Sequence, residues 1–316
     1  MLRREFLFTS SAVALRATER SRRVEVNGVP LHYLDWGGSG ETLLMMPGLG
    51  DTAFIFGDIA PKLTDRAHVL SLTRRGFGQS EQPQSGYELD SLVSDIATFL
   101  DGLGVRKAAL AGHSFGGVEL TRFAERYPDL VTRLIYFDTA YVPIPPSLAE
   151  VEGFYMDALA HMPRANSFAS WQAKRAYEQR IRHNAWSPAC EANLREVCVE
   201  KADGSLRPRT PGRVYQAIFA DRLKWNLTKV RHPALMIFAN NPLEAQIPNL
   251  APLAEDQLEL IREASIETER MRREQIEAFR KNGPHVRIVE MPDTDHRCFI
   301  HRQKETMGAL DSFWKS

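Results

Sequence analysis

The feature that most constrains the fold is a strand-like run that leads into Gly112–Gly116 (GHSFG) and then into a helix-like segment. A Gly-x-Ser-x-Gly pentapeptide occurs by chance in roughly one chain in ten of this length, so it is weak evidence alone. The flanking residues strengthen this evidence. KAALAG is typical of a buried strand, and GVELTRFAERYP has helical spacing and ends at Pro128. A serine at such a junction lies on a tight turn, beside helix N–H groups that stabilise negative charge. Ser114 is therefore a candidate nucleophile, and a glycine-rich surface bend is the alternative.

The rest of the chain alternates between strand-like and helix-like segments. The stretch RRVEVNGVPLHYLDWG predicts a hairpin turning at Asn27-Gly28, and short apolar runs predict buried strands at ETLLMMPG, AHVLSLT, TRLIYFD, HPALMIFAN and HVRIVEMP. Helical spacing occurs in TAFIFGDIAPKLTDR, GYELDSLVSDIATFLDGLGV, residues 253–281 and QKETMGALDSFW. This alternation predicts an α/β fold with a doubly wound, mostly parallel sheet.

The alternation of strand-like and helix-like segments is interrupted between the prolines of YVPIPPSLAE and residue 230. We expect residues 21–142 and 229–316 to form one α/β core and residues 143–228 to form an inserted helical lid. The lid segment is rich in aromatic residues, most of which we assign to its own core. Arg175, Arg180 and Arg182 are either carboxylate-binding groups or a solvated helix face, and the second interpretation is the commoner one.

Composition excludes several functional classes. The 316 residues carry 40 Lys+Arg and 40 Asp+Glu, so nothing indicates a nucleic-acid partner, and no apolar run is long enough to span a membrane. Cysteine and histidine spacing predicts neither a disulfide framework nor a metal site, and no cofactor is expected. Residues 1–20 contain Arg3-Arg4 before an apolar stretch, which favours a twin-arginine-like export signal, with a basic tail on a cytoplasmic protein as the alternative.

Several motifs together resemble the α/β-hydrolase family from residue 22 to the C-terminus. MMPGLGD, RRGFGQSEQP, GHSFG and DTDHRCF occur in the order that this family shows. The resemblance implies Ser114 as nucleophile, His296 as general base, and the N–H groups of Leu49 and Phe115 as an oxyanion hole. Pro47 and Thr73 stand where the family usually has His and Asp, which we interpret as substitutions that affect loop bracing.

Two other histidines compete with His296 for the role of base. His113 adjoins Ser114 and is expected to brace the turn, and His301 is expected to begin the last helix. His296 follows the strand HVRIVEMP at the distance that the family resemblance implies.

The acidic member of a triad is less clear from the sequence. Most relatives have an Asp after the strand that reads ALMIFA here, but this chain continues NNPLEAQIP without one. Glu244 is one candidate, because it precedes Pro248 by the interval that relatives show. Asp138 in YFDTAY is the preferred candidate, because a subgroup of the family carries its acid at the end of the preceding strand. A turn-capping role for Asp138 is the alternative.

These residues predict a serine hydrolase acting on a small or medium, partly apolar carboxylic ester or amide through an acyl-Ser114 intermediate. A peptide bond or a C–C bond next to a carbonyl is also compatible with this chemistry. Epoxide hydrolases and dehalogenases of this fold are disfavoured because they use Asp at the turn. A ligand receptor or a cyanohydrin lyase of the same fold is the alternative from a different class. The expected partner is a small-molecule substrate.

Overall fold

A central mixed β-sheet organises the computed structural model, which describes residues 20–139, 168–181, 186–220, 230–240, 254–281 and 283–315. The strands of this sheet are β1 (Arg20–Val26), β2 (Val29–Gly37), β3 (Thr42–Met46), β4 (His68–Leu72), β5 (Ala108–His113), β6 (Val131–Phe137), β9 (Ala234–Asn240) and β10 (Val286–Pro292). A separate hairpin consists of β7 (Cys198–Glu200) and β8 (Leu206–Pro208).

The strands lie in the order β1-β2-β4-β3-β5-β6-β9-β10. β2 pairs antiparallel with β1 and β4, and the other neighbours pair in parallel. The chain winds outward from β3 to β4 and then returns to place β5 on the other side of β3. Ligands of open α/β sheets bind at such a reversal, outside the carboxyl ends of the strands. The loops after β3 and β5 therefore mark the position of a binding crevice.

Helices cover both faces of the sheet. The helices of the described residues are α1 (Leu89–Gly102), α2 (Phe115–Arg126), α3 (Trp171–Ile181), α4 (Pro188–Val197), α5 (Gly212–Ala220), α6 (Glu255–Arg280), α7 (Cys298–His301) and α8 (Gln303–Trp314). Side chains of β3 alternate between two hydrophobic clusters, as a strand buried on both faces requires. Leu44 and Met46 pack with residues of α1 and α2, whereas Leu43 and Met45 pack with residues of α7 and α8. The predicted doubly wound sheet is confirmed.

One predicted helix is wrong in type. The stretch TAFIFGDIAPKLTDR forms two short 3₁₀ helices, Ala53–Phe56 and Ala60–Leu63, instead of one α-helix. Pro61 lies in the first turn of the second 3₁₀ helix, where its missing N–H costs nothing, but it would break a longer α-helix. Gly57 lies between the two and is also a poor helix former. Apolar spacing alone does not separate these two helix types over so few residues.

The described part of the expected lid contains α3, α4 and α5, together with the β7–β8 hairpin that the sequence did not predict. Its turn contains Asp203-Gly204, and Gly204 adopts a φ of 80° there. Phe168, Cys198 and Leu206 form a small core of their own, against which Trp171 and Tyr177 pack.

Two further findings concern the surface of the described segments. Arg175 is held by both carboxylate oxygens of Glu191, at 2.7 Å each, and so belongs to a surface ion pair. The Arg180 side chain and Arg182 lie outside the described part of the chain, as do residues 1–19. No helix among the described residues is long and apolar enough to cross a membrane.

Candidate active site

Ser114 occupies a strained turn between β5 and α2. Its φ of 54° and ψ of −124° lie in a region that residues other than glycine rarely adopt, which is typical of functional turns. A Cβ at Gly112 would lie 2.6 Å from the Gly116 carbonyl carbon, and a Cβ at Gly116 would lie 2.3 Å from the Met46 carbonyl oxygen. Only glycine lets α2 pass so close to the strands. The flanking glycines of the motif therefore have a steric cause.

Asp138 and His296 are joined by a short hydrogen bond. Asp138 directly follows β6, and its Oδ2 lies 2.6 Å from His296 Nδ1. The other carboxylate oxygen, Oδ1, accepts a hydrogen bond of 2.9 Å from the backbone N–H of Ala239 in β9. The Asp138 N–H in turn donates to the Ile237 carbonyl at 2.7 Å. The carboxylate is thus fixed by the neighbouring strand and orients the imidazole ring.

The loops that carry these residues meet at the carboxyl edge of the sheet. Ser114 donates its N–H to the Phe137 carbonyl at 3.2 Å, which ties the turn to the residue before Asp138. The rings of His113 and His296 lie 4.6 Å apart between centroids, and His113 Nε2 lies 2.9 Å from the His296 carbonyl oxygen. His113 therefore braces the loop that carries His296, whereas the sequence led us to expect that it braces the turn at Ser114.

His301 differs slightly from its expected position. It ends the short helix α7 instead of beginning the last helix, α8. Its Nδ1 accepts a hydrogen bond of 3.2 Å from the Asp295 N–H, so it stabilises the same loop from the other side. The neighbouring thiol of Cys298 is fully buried. Burial, reinforced by the charge of Asp138, raises the pKa of this thiol well above its usual value, which keeps it protonated and unreactive.

The loop after β3 passes directly over the strained turn. A Cβ at Gly48 would lie 3.1 Å from the Cβ of Ser114 and 2.8 Å from His113 Nδ1. Leu49 follows Gly48 and is half-buried, and its N–H makes no hydrogen bond within the described residues. Phe115 begins α2, so its N–H lies in the first turn, at the positive end of the helix dipole. Both expected oxyanion donors therefore lie in segments that border Ser114.

A buried polar network that the sequence analysis missed anchors the same loop. Asp51 accepts hydrogen bonds from Asn193 Nδ2, at 2.9 Å, and from the Arg297 guanidinium. Asn193 Oδ1 accepts from both the N–H and the hydroxyl of Thr52, each at 2.8 Å. Asp51 and Arg297 both lie in motifs quoted above, MMPGLGD and DTDHRCF, so the sequence could have identified them as site residues. Nothing in the sequence singles out Asn193 on α4.

Helix α5 adds another residue that was not anticipated. A Cβ at Gly50 would lie 3.4 Å from the hydroxyl oxygen of Tyr215, whose ring packs edge-on against Phe77 at 5.4 Å. Burial first, and then the negative charge of Asp51, raise the pKa of Tyr215 to about 12. The hydroxyl is therefore protonated at neutral pH and able to donate a hydrogen bond at the edge of the loop.

The structure describes two of the three remaining sequence candidates, Thr73 and Pro47. Glu244, the alternative acid, lies outside the described residues. Thr73 replaces the usual Asp and does brace its loop, since its hydroxyl accepts a hydrogen bond of 3.0 Å from the Ala53 N–H and lies 3.1 Å from His32 Nδ1. The Pro47 carbonyl accepts a hydrogen bond from Arg74 Nη2 at 2.7 Å.

Comparison with known proteins agrees with this architecture. The model of the alpha/beta hydrolase fold family matches residues 41–184, which include Ser114 and Asp138. The chain is 32% identical over 192 residues to a 2-(acetamidomethylene)succinate hydrolase of Mesorhizobium japonicum, covering 60% of this chain and 65% of that relative. It is 31% identical over 113 residues to a soluble epoxide hydrolase of a Corynebacterium species, covering 36% of this chain and 39% of that enzyme.

Structural comparison extends the likeness to nearly the whole chain. A crystal structure of E-2-(acetamidomethylene)succinate hydrolase superposes with a TM-score of 0.70 at 24% identity, covering 94% of this chain and 100% of the other. The chain has the α/β-hydrolase fold. Its aligned segments span just under two thirds of the Mesorhizobium hydrolase and a smaller share of the epoxide hydrolase. Both of these relatives are named as hydrolases.

Proposed function

We propose that this protein is a serine hydrolase that cleaves a carboxylic ester or amide through an acyl-Ser114 intermediate. The observation that carries the proposal is the 2.6 Å hydrogen bond between Asp138 Oδ2 and His296 Nδ1, beside a serine on a strained strand-to-helix turn. A carboxylate on Nδ1 holds the imidazole in the tautomer whose Nε2 accepts a proton. Asp138 is therefore the proposed acid of the triad, and Glu244 the alternative.

The proposed reaction has two halves. Ser114 Oγ attacks the carbonyl carbon and its proton moves to His296 Nε2, while the N–H groups of Leu49 and Phe115 stabilise the oxyanion. The bond to the leaving group then breaks, and His296 returns the proton to that group. Water attacks the acyl-enzyme by the same route, which releases the acid and restores Ser114.

The substrate class is proposed on two grounds. A serine at the turn suits acyl transfer, whereas epoxide hydrolases of this fold use Asp, so the partial likeness to an epoxide hydrolase does not favour epoxide opening. The Mesorhizobium relative is named for an acetamido-bearing succinate, which makes amides as relevant as esters for a substrate screen. Residues 143–228 are proposed as a lid that selects a small or medium, partly apolar substrate.

Labelling by a fluorophosphonate, read by intact mass, tests the proposal. We expect a single adduct on the parent protein and none on Ser114→Ala, because the reagent reports an activated serine with a base and an oxyanion hole. His296→Gln should abolish labelling. The matched control His68→Gln alters a ring that lies at the start of β4, 3.0 Å from Asp35 Oδ1, and should label within a few-fold of the parent rate.

Two results would reject the proposal. A folded parent protein that takes up no adduct would contradict it and favour the receptor alternative. A labelled protein that forms no acyl-enzyme with any member of an ester and amide panel would favour a lyase instead.

A further inference from the structure

Arg74 and Glu119 form an ion pair in the interior of the molecule. Only 2% of the Arg74 side chain and none of the Glu119 side chain are exposed. Arg74 Nε donates to Glu119 Oε1 at 2.9 Å, and Nη2 donates to Oε2, so the contact is bidentate. Arg74 follows β4, and Glu119 lies on α2, one turn beyond Ser114. The pair therefore connects the strained turn to a different loop of the sheet edge.

The remaining donors of Arg74 reach the loop that borders Ser114. Nη2 donates to the Pro47 carbonyl at 2.7 Å, and Nη1 donates to the Gly48 carbonyl at 3.1 Å. In a trans peptide the C=O and the following N–H point in opposite directions. Holding the Gly48 carbonyl toward Arg74 therefore turns the Leu49 N–H away from Arg74. The same guanidinium lies 4.9 Å from the centre of the Phe115 ring. It therefore contacts one proposed oxyanion residue directly, and it binds the peptide group between Gly48 and Leu49 that carries the other proposed donor.

Fold stability alone does not account for this pair. A buried ion pair gains little over well-packed apolar side chains of similar volume, because removing two charges from water is costly. The neighbouring pair of Arg75 and Asp95 shows the contrast. It is also buried and bidentate, with two contacts of 2.6 Å, yet Arg75 has no hydrogen bond to residues 47–51 among the described residues. The hydrogen bonds to the Pro47 and Gly48 carbonyls therefore distinguish Arg74 from Arg75.

We propose that Arg74, held in place by Glu119, is a positioning residue that orients the Leu49 N–H toward the substrate oxyanion. This role rests on the proposed hydrolase function of Ser114. Glu119 fixes the plane of the guanidinium, and the guanidinium fixes the peptide planes after Pro47 and Gly48. The planar fork of arginine is required, because a lysine ammonium cannot hold a bidentate carboxylate and two carbonyls together.

The test separates positioning from substrate binding. We compare the parent with Arg74→Lys on an ester or amide that the parent hydrolyses, and measure kcat, KM and inhibition by a trifluoromethyl ketone. The ketone adds to Ser114 and forms a tetrahedral oxyanion, so its affinity reports the oxyanion hole. We expect kcat and ketone affinity each to fall by about 10- to 100-fold, because small misplacements of a catalytic group have effects of this size. KM should change by less than about three-fold.

Two controls make the result specific. Arg75→Lys alters the adjacent buried pair without touching the loop, so kcat and ketone affinity should stay within a few-fold of the parent. The double variant Arg74→Met with Glu119→Leu covers the case in which Arg74→Lys fails to fold. It removes both charges together, so no charge is left buried and unpaired. We expect it to remain folded and to lose kcat as Arg74→Lys does.

The outcomes distinguish this inference from the function on which it rests. A parent protein that is neither labelled at Ser114 nor active on any ester or amide would reject the hydrolase proposal and the positioning role with it. A labelled, active parent whose folded Arg74 variants keep kcat and ketone affinity would reject the positioning role alone. Equal losses in Arg74→Lys and Arg75→Lys would also reject it, because they would indicate a general effect of disturbing buried pairs.

Discussion

Asp138 illustrates how one side chain links the sheet to the proposed chemistry. Its two carboxylate oxygens have separate partners, the Ala239 N–H and His296 Nδ1. The backbone at Asp138 has a φ of 48°, which is unfavourable for an ordinary residue and which aspartate tolerates better than most. A residue that only capped a turn would not need a histidine partner 2.6 Å away. The positive φ and the short contact with His296 both agree with the proposed role of Asp138 in the triad.

The substitution Asp138→Asn tests this assignment. The amide keeps the shape and the oxygen that accepts from Ala239, but it removes the charge and favours the wrong imidazole tautomer. If Asp138 is the acid of the proposed triad, kcat should fall by about 10⁴-fold, while the thermal midpoint changes little. The matched variant Glu244→Gln should keep kcat within a few-fold of the parent. The opposite pattern, with activity retained in Asp138→Asn and lost in Glu244→Gln, would assign the acid to Glu244.

At the scale of secondary-structure elements, the turn between β5 and α2 depends on the absence of side chains at its glycines. Gly116→Ala would bring a methyl group within 2.3 Å of the Met46 carbonyl oxygen, and backbone cannot move aside as a flexible side chain can. We expect the free energy of unfolding, measured by urea titration, to fall by about 1–3 kcal/mol or more. Activity should fall as well, because α2 carries the Phe115 N–H.

A glycine in another helix supplies the control for this prediction. Gly102, the last residue of α1, has no atom within 4 Å of where a Cβ would lie. Gly102→Ala should therefore be neutral or raise the free energy of unfolding by up to about 1 kcal/mol. Similar destabilisation in both variants would mean that glycine is needed for backbone conformation, and that steric contact at the turn is not the cause.

The elements themselves were largely predictable, whereas their contacts were not. Apolar runs and turn residues identified the strands of the sheet, since burial on both faces leaves a clear pattern. The choice between Asp138 and Glu244 depended on which strands are neighbours, and the sequence left it open. The pairing of Phe137 with Ile237 brings Asp138 beside Ala239, across a separation of 101 residues. Arg74 and Glu119 are likewise 45 residues apart, and no local pattern marks them as partners.

At the scale of the whole molecule, the buried polar groups make stability depend on pH. His32 lies on β2 with 1% of its surface exposed, and its ring nitrogens contact Thr73 Oγ1 at 3.1 Å and Ser21 Oγ at 3.0 Å. The ring also stacks on Phe54 at 5.5 Å between centroids. Burial first, and then the positive charge of Arg23, lower the pKa of His32 from 6.5 to about 4. The native protein therefore holds this ring neutral in mildly acidic solution.

The sign of this pH dependence follows from whether the native or the unfolded chain binds the proton on His32 more readily. Above pH 6.5 the ring is neutral in both the native and the unfolded chain, and it contributes no pH dependence. As the pH falls from 6.5 to about 4, the unfolded chain binds a proton that the native protein excludes, so the free energy of unfolding decreases. Over this pH range the free energy of unfolding decreases by on the order of 3 kcal/mol because of His32. Below about pH 4 the native ring is protonated as well, and this contribution to the slope ends.

Replacing His32 with Asn isolates this contribution. The variant will be less stable overall, because an aromatic ring is lost from the core, so the comparison uses the slope of stability against pH and not its absolute value. We expect urea midpoints of the parent to fall more steeply than those of His32→Asn between pH 6.5 and 4, and to run parallel with them between pH 7 and 8. Parallel curves through the acid range would mean that His32 binds its proton equally in both states, and that the acid sensitivity of the molecule lies in its buried carboxylates instead.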